Sequence, residues 1–115
     1  MSLSKTQQRF TTCIGLIILY ASCKGYGLTF GDAFRDRRVF GRFGYKGSYS
    51  NKNSVHKLRL AVDFNLFING KYIIDGDHPA YQDLGQHWKS LDPLARWGGD
   101  FNDANHFSFT CWGAK

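Results

Sequence analysis

The segment LRLAVDFNLF, residues 58–67, carries the clearest strand pattern in this chain of 115 residues. Large apolar side chains occupy every second position, and polar residues such as Asp63 and Asn65 lie between them. A period of two predicts a β-strand with one apolar face and one polar face. Asn69-Gly70 comes next, and this pair favours a two-residue hairpin turn, so residues 72–76 are predicted as the returning strand.

Further elements are predicted on both sides of this hairpin. They are a helix at residues 4–23, a short strand at 27–30, a helical turn at 32–35, a second helix at 78–93 and a last strand at 105–112. Ser4 is expected to cap the first helix, and Gly25 or Gly27 to end it. Residues 36–53 are rich in Arg, Lys, Gly and Ser and are predicted as a long basic loop. The predicted fold class is therefore α+β, a small single domain with an antiparallel sheet and two to three flanking helices.

Composition limits the partners and the sulfur chemistry. The chain has 15 Lys and Arg against 9 Asp and Glu, and its net charge of +6 favours an anionic partner such as nucleic acid, an anionic membrane or a bacterial cell wall. The three cysteines, Cys13, Cys23 and Cys111, form no CxxC pair, which argues against a disulfide framework and against a thiolate zinc site. They are interpreted as reduced thiols, mostly in the core.

The N-terminal segment allows two interpretations. Residues 5–23 combine basic residues, an apolar run and small residues before Cys23, as a secretory signal or signal-anchor does. The apolar core from Cys13 to Ala21 is too short to span a bilayer, however. Phe10, Ile14, Ile17 and Ile18 recur at helical spacing, so an amphipathic helix of the domain is favoured over an export signal.

Asp63 lies on the polar face of the predicted strand, where a buried carboxylate without a partner would be costly. It therefore needs a cation or hydrogen-bond donors. His56 precedes the strand and His106 begins the last strand, so both imidazoles could share a ligand with Asp63. Two histidines, one carboxylate and an open fourth position describe a catalytic zinc site, whose bound water becomes a nucleophile.

Two further residues suit such a site. Asp103, three residues before the second histidine, is a candidate general base that takes a proton from water and passes it to the leaving nitrogen. Arg35 is a candidate to hold a substrate carboxylate or the oxyanion of a tetrahedral intermediate. Spacing barely separates Asp103 from Asp100, while His78 and His87 are interpreted as structural histidines.

The separated motifs SVHKLRLAVD (54–63) and DANHF (103–107) together form a recognisable pattern. They resemble the motifs of the zinc D-alanyl-D-alanine carboxypeptidase/dipeptidase family, the VanY-like peptidases. That family includes phage endolysins that cut peptidoglycan stem peptides between L-Ala and D-Glu. LTFGDAFR (28–35) resembles a segment of the endolysin branch, and RWGGDF (96–101) a segment of the family, so the resemblance extends over about residues 4–109.

The resemblance implies one zinc peptidase domain over residues 1–115, with one catalytic Zn²⁺ and no separate cell-wall-binding module. The implied zinc ligands are His56, Asp63 and His106. Asp103 is the implied general base, and Arg35 the cation that steadies the substrate or transition state. Ser54 is implied to lie at the cleft edge, where it orients a ligand or touches substrate.

The function that follows is a zinc-dependent peptidoglycan peptidase of the phage endolysin type, which hydrolyses the L-alanyl-D-glutamate bond by attack of a metal-bound water. Such an enzyme is expected to be a monomer, to be made in the host cytoplasm and to act on the periplasmic cell wall. It would use a holin-type partner for access to the wall. No nucleic acid partner is expected.

Three alternatives remain. A D-alanyl-D-alanine carboxypeptidase keeps the chemistry and changes the bond. A non-enzymatic module that binds nucleic acid or glycan is suggested by Arg and Lys interleaved with aromatic residues over residues 34–46, but it leaves Asp63 and the DANH segment without a role. An inactive relative would keep His56 and His106 only as core histidines.

Overall fold

The computed structural model describes residues 2–31 and 59–110 of the chain. Within these residues the order of elements is helix, strand, hairpin, helix, strand, one turn of 3₁₀-helix and a last strand. They are α1 (Leu3–Lys24), β1 (Tyr26–Phe30), β2 (Ala61–Ile68), β3 (Lys71–Tyr72), α2 (Pro79–Leu91), β4 (Ala95–Trp97), the 3₁₀-helix Gly98–Phe101, and β5 (His106–Phe109). The predicted helical turn at 32–35 and the predicted basic loop at 36–53 lie outside the described residues.

These strands form one antiparallel sheet in the order β1-β2-β5-β4, with β3 paired to β2. β2 is the central strand because it pairs with β1 along its second half, Phe64–Ile68, and with β5 along its first half, Ala61–Asp63. The two helices of the described residues complete an α+β fold, as predicted. The sheet therefore brings the residue pair Asp63 and His106 into register.

The apolar face of β2 forms the centre of the core. Leu60, Val62, Phe64 and Leu66 are all buried, which confirms the alternation predicted from the sequence. The strand begins at Ala61, later than predicted. Ala61 is buried although it lies on the polar face, because β5 pairs with it through the fully buried Ser108.

Helix α1 packs against the sheet and α2 with most of the predicted apolar stripe, since Phe10 and Ile17 are buried and Ile14 packs against the core. Its buried residues are Thr6, Phe10, Cys13, Ile17 and Ala21. Ile18, also predicted on the apolar stripe, is exposed, because the buried positions recur at helical spacing through Phe10, Cys13, Ile17 and Ala21. The Phe10 ring meets the rings of Trp88 and Phe109 at right angles, which fixes α1 on the core.

The caps of α1 correct one prediction and confirm another. Ser2, in extended conformation, is the N-cap, and its Oγ accepts a hydrogen bond from Lys5 N at 3.1 Å. Ser4 lies inside the helix, where its Oγ accepts a hydrogen bond from Gln8 Nε2, so its predicted capping role is wrong. Gly25 ends the helix in the left-handed conformation, as expected. No helix in residues 2–31 or 59–110 has the length and apolar character needed to cross a membrane.

The second half of the chain departs from the sequence predictions mainly in element length. α2 begins at Pro79, after the capping side chain of His78, and ends at Leu91 rather than at residue 93. β3 covers only Lys71–Tyr72 instead of residues 72–76. The segment around residues 96–104, for which no element is predicted above, contains β4 and the 3₁₀-helix, and β5 covers His106–Phe109.

One carboxylate ties both helices and β1 together. Asp83 on α2 accepts hydrogen bonds from the hydroxyls of Tyr20 on α1 at 2.6 Å and Tyr26 on β1 at 2.7 Å, and Lys24 Nζ lies 3.6 Å away. Burial and then the bond to Asp83 raise the pKa of Tyr26 to about 12. Burial opposes ionisation of Asp83, but the hydrogen bonds from both tyrosines and the charge of Lys24 outweigh it and lower the pKa of this carboxyl.

Candidate active site

The side chains of Asp63 and His106 meet on the face of the sheet opposite the aliphatic core. They are directly paired residues of β2 and β5. The distance between His106 Nδ1 and Asp63 Oδ1 is 3.3 Å, and the side chains are only 8% and 13% exposed. Two groups that are 43 residues apart in sequence thus form one partly buried polar pair, as the proposed shared site requires.

The end of β1 lies against Asp63 of this pair. Gly31 N donates a hydrogen bond to Asp63 O at 2.7 Å, extending the pairing of β1 with β2. A Cβ placed on Gly31 would lie 3.2 Å from Asn65 Oδ1 and 3.4 Å from Asp63 Cβ. The backbone therefore passes close over the polar face of β2 just before residue 32.

The backbone of Asp103 is fixed on both sides by the turn that leads into β5. Its N–H donates to Gly98 O at 2.7 Å, and its carbonyl accepts from His106 N at 3.0 Å. Trp97 Nε1 donates to Ala104 O at 2.7 Å, which holds the next residue of the turn. Asp103 is thus attached directly to the backbone of His106, and the side-chain role predicted for it as a base stays a prediction.

Two glycines allow this turn to be so tight. A Cβ on Gly98 would lie 2.0 Å from Asp103 O and 2.7 Å from His106 Cβ, and a Cβ on Gly99 would lie 2.2 Å from the Trp97 ring. On α2, a Cβ at Gly85 would come within 2.0 Å of the same ring. The indole of Trp97 therefore packs between the backbones of Gly85 and Gly99, and this packing supports the turn.

The two acids that spacing barely separated, Asp100 and Asp103, make different contacts. Asp100 accepts from Lys89 Nζ at 3.1 Å, and its side chain is half exposed, so it forms a surface ion pair between the 3₁₀-helix and α2. Asp103 instead is linked to His106 through the backbone. Asp103 is exposed as well, and its choice over Asp100 as the acid of the candidate site stays a prediction.

The remaining described histidines have structural partners, as interpreted from the sequence. His78 Nδ1 accepts a hydrogen bond from Ala80 N at 3.0 Å and so caps α2. The ring of His87 stacks on Tyr20, with centroids 3.6 Å apart. Cys13 is buried and Cys23 is exposed, both as free thiols, while Cys111 lies outside the described residues.

Three predicted site residues, His56, Ser54 and Arg35, lie outside the described residues, and their roles stay predictions. In the described ranges no group of three His, Cys, Asp or Glu side chains could hold a metal ion. Asp63 and His106 supply two members of the predicted ligand set, and the third, His56, belongs to the undescribed segment.

The described pair suits a zinc ion in chemistry and in spacing. Imidazole nitrogen and carboxylate oxygen are both common zinc donors. Two donors at about 2.0–2.1 Å from one ion in a tetrahedral arrangement lie about 3.3–3.4 Å from each other. The 3.3 Å between Nδ1 and Oδ1 matches this separation, although a His–Asp hydrogen bond of ordinary strength has a similar length.

Sequence reasoning missed one side chain beside His106. The ring of Phe101, on the 3₁₀-helix, lies 5.9 Å from the imidazole and is exposed. The paired glycines beside Trp97 in RWGGDF are the sequence signal for this segment, because glycine permits close backbone approach. The same glycines are also compatible with a loose loop.

Comparison with known proteins places these motifs in a family. The family model described as D-alanyl-D-alanine carboxypeptidase matches residues 48–109, which include Asp63, Asp103 and His106. It begins after LTFGDAFR, so the resemblance of residues 28–35 to the endolysin branch stays a prediction. A search of curated proteins finds no match. Because the matched segment spans 62 of the 115 residues (109 − 48 + 1), this chain belongs to the D-alanyl-D-alanine carboxypeptidase family of VanY-like, peptidoglycan-acting peptidases.

Proposed function

We propose that this protein is a zinc-dependent peptidoglycan peptidase of the endolysin type, which hydrolyses the L-alanyl-D-glutamate bond of the murein stem peptide. The proposal rests chiefly on the contact between Asp63 and His106, which both lie in the segment that matches the peptidase family. The distance between Asp63 Oδ1 and His106 Nδ1, two atoms of the kind that bind zinc, is 3.3 Å. Members of the family are generally zinc-dependent, which agrees with this donor pair.

The proposed ligands are His56, Asp63 and His106. The family segment begins before His56 and ends after His106, so it contains all three. When bound, zinc supplies a Lewis acid that polarises a carbonyl oxygen and lowers the pKa of a coordinated water. Asp63 adds a negative charge to the site, and the low exposure of its side chain strengthens its attraction for a cation.

Asp103 is the proposed general base. It would accept a proton from the attacking water and deliver it to the nitrogen that leaves as the peptide bond breaks. The hydrogen bond from His106 N to Asp103 O keeps this residue at a fixed place relative to the imidazole. Arg35 is proposed to hold the substrate or the oxyanion, and Ser54 to touch substrate at the cleft edge.

The distribution of charge supports an anionic substrate. Residues 2–31 and 59–110 contain seven basic and seven acidic residues, so they contribute no net charge. Residues 32–58 contain seven basic and two acidic residues, a net +5, and Lys115 adds the remaining +1 of the total of +6. Murein stem peptides carry free carboxylates, and a basic segment between β1 and β2 would attract them toward Asp63 and His106.

A second candidate is hydrolysis of the terminal D-alanyl-D-alanine bond. It is favoured by the description of the matching family and fits the same site residues equally well. We place the endopeptidase first because Asp103 as base and the segment ending at Arg35 resemble the endolysin branch. For that branch we also propose synthesis in the host cytoplasm, action on the periplasmic wall as a monomer, and a holin-type partner.

Mass spectrometry of murein digests tests both candidates. Purified murein is incubated with the protein, with and without a chelator, and the new ends are identified. New N-terminal D-glutamate that disappears with the chelator is the expected result. Release of free D-alanine would instead identify a carboxypeptidase, and digestion that persists after complete metal removal would contradict the zinc mechanism.

Metal analysis of matched variants tests the site. His106→Ala and Asp63→Ala are expected to lose bound zinc and hydrolysis, whereas His87→Ala, which removes a histidine that stacks on Tyr20, keeps both. Asp103→Ala is expected to keep zinc and lose hydrolysis by about 10²-fold or more, while Asp100→Ala remains active. Equal activity of the Asp103 and Asp100 variants would refute the assignment of the base.

A further inference from the structure

Phe101 exposes an aromatic ring beside the candidate site. Its side chain is 42% exposed, and its ring meets the His106 imidazole edge-on, with centroids 5.9 Å apart. Among the exposed large apolar side chains of the described residues, Phe30 and Tyr72 have rings as well, but these pack on Phe64 and Phe67. Among these exposed rings, Phe101 is thus the one that contacts His106, a proposed zinc ligand.

The turn that carries Phe101 is closely fixed. Gly98 O accepts hydrogen bonds from the N–H groups of both Asn102 and Asp103, which close the turn after Phe101. On its other side, Asp100 is paired with Lys89, and the Gly99 backbone lies against the Trp97 ring. A ring presented on a fixed backbone loses little conformational entropy when a ligand covers it, so it is suited to binding.

We infer that Phe101 forms the apolar wall of the subsite that receives the methyl group of the alanine on the acyl side of the scissile bond. This inference rests on the proposed function. A phenyl ring has no charge and no hydrogen-bonding group, so it complements an apolar part of the substrate. In both candidate bonds, L-alanyl-D-glutamate and D-alanyl-D-alanine, the acyl-side residue is alanine, and its methyl group is the apolar part next to the reacting carbonyl.

The test compares alanine with glycine in the substrate and phenylalanine with alanine in the enzyme. The parent substrate is an N-acetylated pentapeptide, L-Ala-D-Glu-meso-diaminopimelate-D-Ala-D-Ala, and two analogues carry glycine at the first or at the fourth position. For wild type, kcat/KM should be about tenfold higher for the parent than for the analogue with glycine on the acyl side of the cleaved bond. A factor of this size is usual for one apolar carbon in a pocket. Phe101→Ala should remove this preference by raising KM for the parent while kcat stays unchanged.

Control variants separate substrate contact from a structural role. Tyr72→Ala removes another exposed ring, which packs on Phe67 at the far end of β2, and is expected to leave the preference intact. Phe101→Tyr restores a ring and should restore the preference. Zinc content and the midpoint of urea unfolding should change little in Phe101→Ala, because its side chain is partly exposed. A loss of zinc with a lower kcat on every peptide would show that Phe101 only orients His106 and would overturn the inference.

Failure of the proposed function would be seen separately, as a lack of cleavage of all three peptides by wild type. Calorimetric titration with the same peptides then decides about Phe101. Tighter binding of the parent than of a glycine analogue, lost in Phe101→Ala, would support the subsite. Equal binding of the peptides, or no binding at all, would overturn it.

Discussion

The hairpin turn at Asn69–Gly70 and the turn at Gly98–Gly99 both depend on glycine, but for different physical reasons. In the hairpin, Asn69 has φ 53° and Gly70 has φ 78°, and a Cβ on Gly70 would meet nothing within 4 Å. Its requirement is the backbone conformation alone. In the second turn neither glycine has a positive φ, yet a Cβ on Gly98 would lie 2.0 Å from a backbone oxygen. Its requirement is space.

This difference separates a local demand from a tertiary one. The hairpin turn joins two strands and is specified by two adjacent residues, so a sequence pattern predicts it. The space around Gly98 is limited by Asp103 and His106, whose positions depend on the pairing of β5 with β2. The turn that needs space is also the one that places the candidate site, whereas the hairpin lies at the other end of β2.

The largest expected effect comes from filling the space at Gly98. Gly98→Ala forces the backbone of Asp103 or the start of β5 to move, because atoms cannot approach to 2.0 Å. Overpacking of this kind costs about 1–3 kcal/mol or more, and here it also displaces the proposed base from His106. We expect a clear loss of stability in urea unfolding and a loss of hydrolysis of at least about 10²-fold.

Gly15→Ala is the matched control for this variant. Gly15 is exposed on α1, and a Cβ there would meet nothing within 4 Å. Alanine is a better helix former than glycine, so this variant should be more stable by up to about 1 kcal/mol and fully active. A Gly98→Ala protein as stable and active as the Gly15→Ala protein would contradict the spatial argument.

The same distinction explains how much of the molecule could be predicted. The strand β2, the hairpin and both helices follow patterns of period 2 or 3.6 and local turn signals, and they were found with errors of a few residues at their ends. β4 was missed because three residues, Ala95–Trp97, are too few to show a period. Ser4 was predicted as the N-cap because Gln7 stands three positions after it, but the helix starts earlier and Ser2 caps it.

The candidate site shows the same limit. The approach of Asp63 to His106 was expected from the chemistry of a strand carboxylate and from the motif spacing, and their pairing across β2 and β5 agrees with it. The exposure of Phe101 beside His106 could not be expected, since it depends on the Trp97 ring lying between Gly85 and Gly99. That contact joins residues of α2 and the 3₁₀-helix and leaves no periodic trace in sequence.

A smaller effect should come from weakening the support of the turn at a distance. The Gly98–Gly99 turn rests on α2, and Asp83 ties α2 to Tyr20 and Tyr26. Because the folded pKa of Asp83 is lowered, its contribution to stability is complete above the unfolded carboxyl pKa of about 3.9 and is lost as pH falls through the folded value. The Tyr26 pKa is raised, so its contribution is complete below about pH 10 and is lost as pH rises through about 12.

Asp83→Asn tests both the acid and the alkaline part of this pH dependence of stability. Urea unfolding of the metal-free protein should show that the variant loses less stability than wild type between pH 5 and about pH 2, and that it also loses less stability as pH rises above about 10. Tyr20, Tyr26 and Lys24, the groups that contact Asp83, are unchanged in this comparison. Asp77→Asn, which alters an exposed acid in the segment before α2, should keep the wild-type profile. Identical profiles for wild type and Asp83→Asn would refute the role of this carboxylate.

The smallest expected effect belongs to the hairpin. Gly70→Ala places an L-residue at φ 78°, which costs about 1–2 kcal/mol, but no neighbouring atom has to move. The free energy of unfolding should fall by that amount, while kcat, KM and zinc content remain those of wild type. Gly70→Asn should recover part of the loss, since asparagine tolerates the left-handed region better than alanine does. If Gly70→Ala lowered kcat as Gly98→Ala is expected to, the hairpin would be coupled to the candidate site, and the separation of the local from the tertiary requirement would fail.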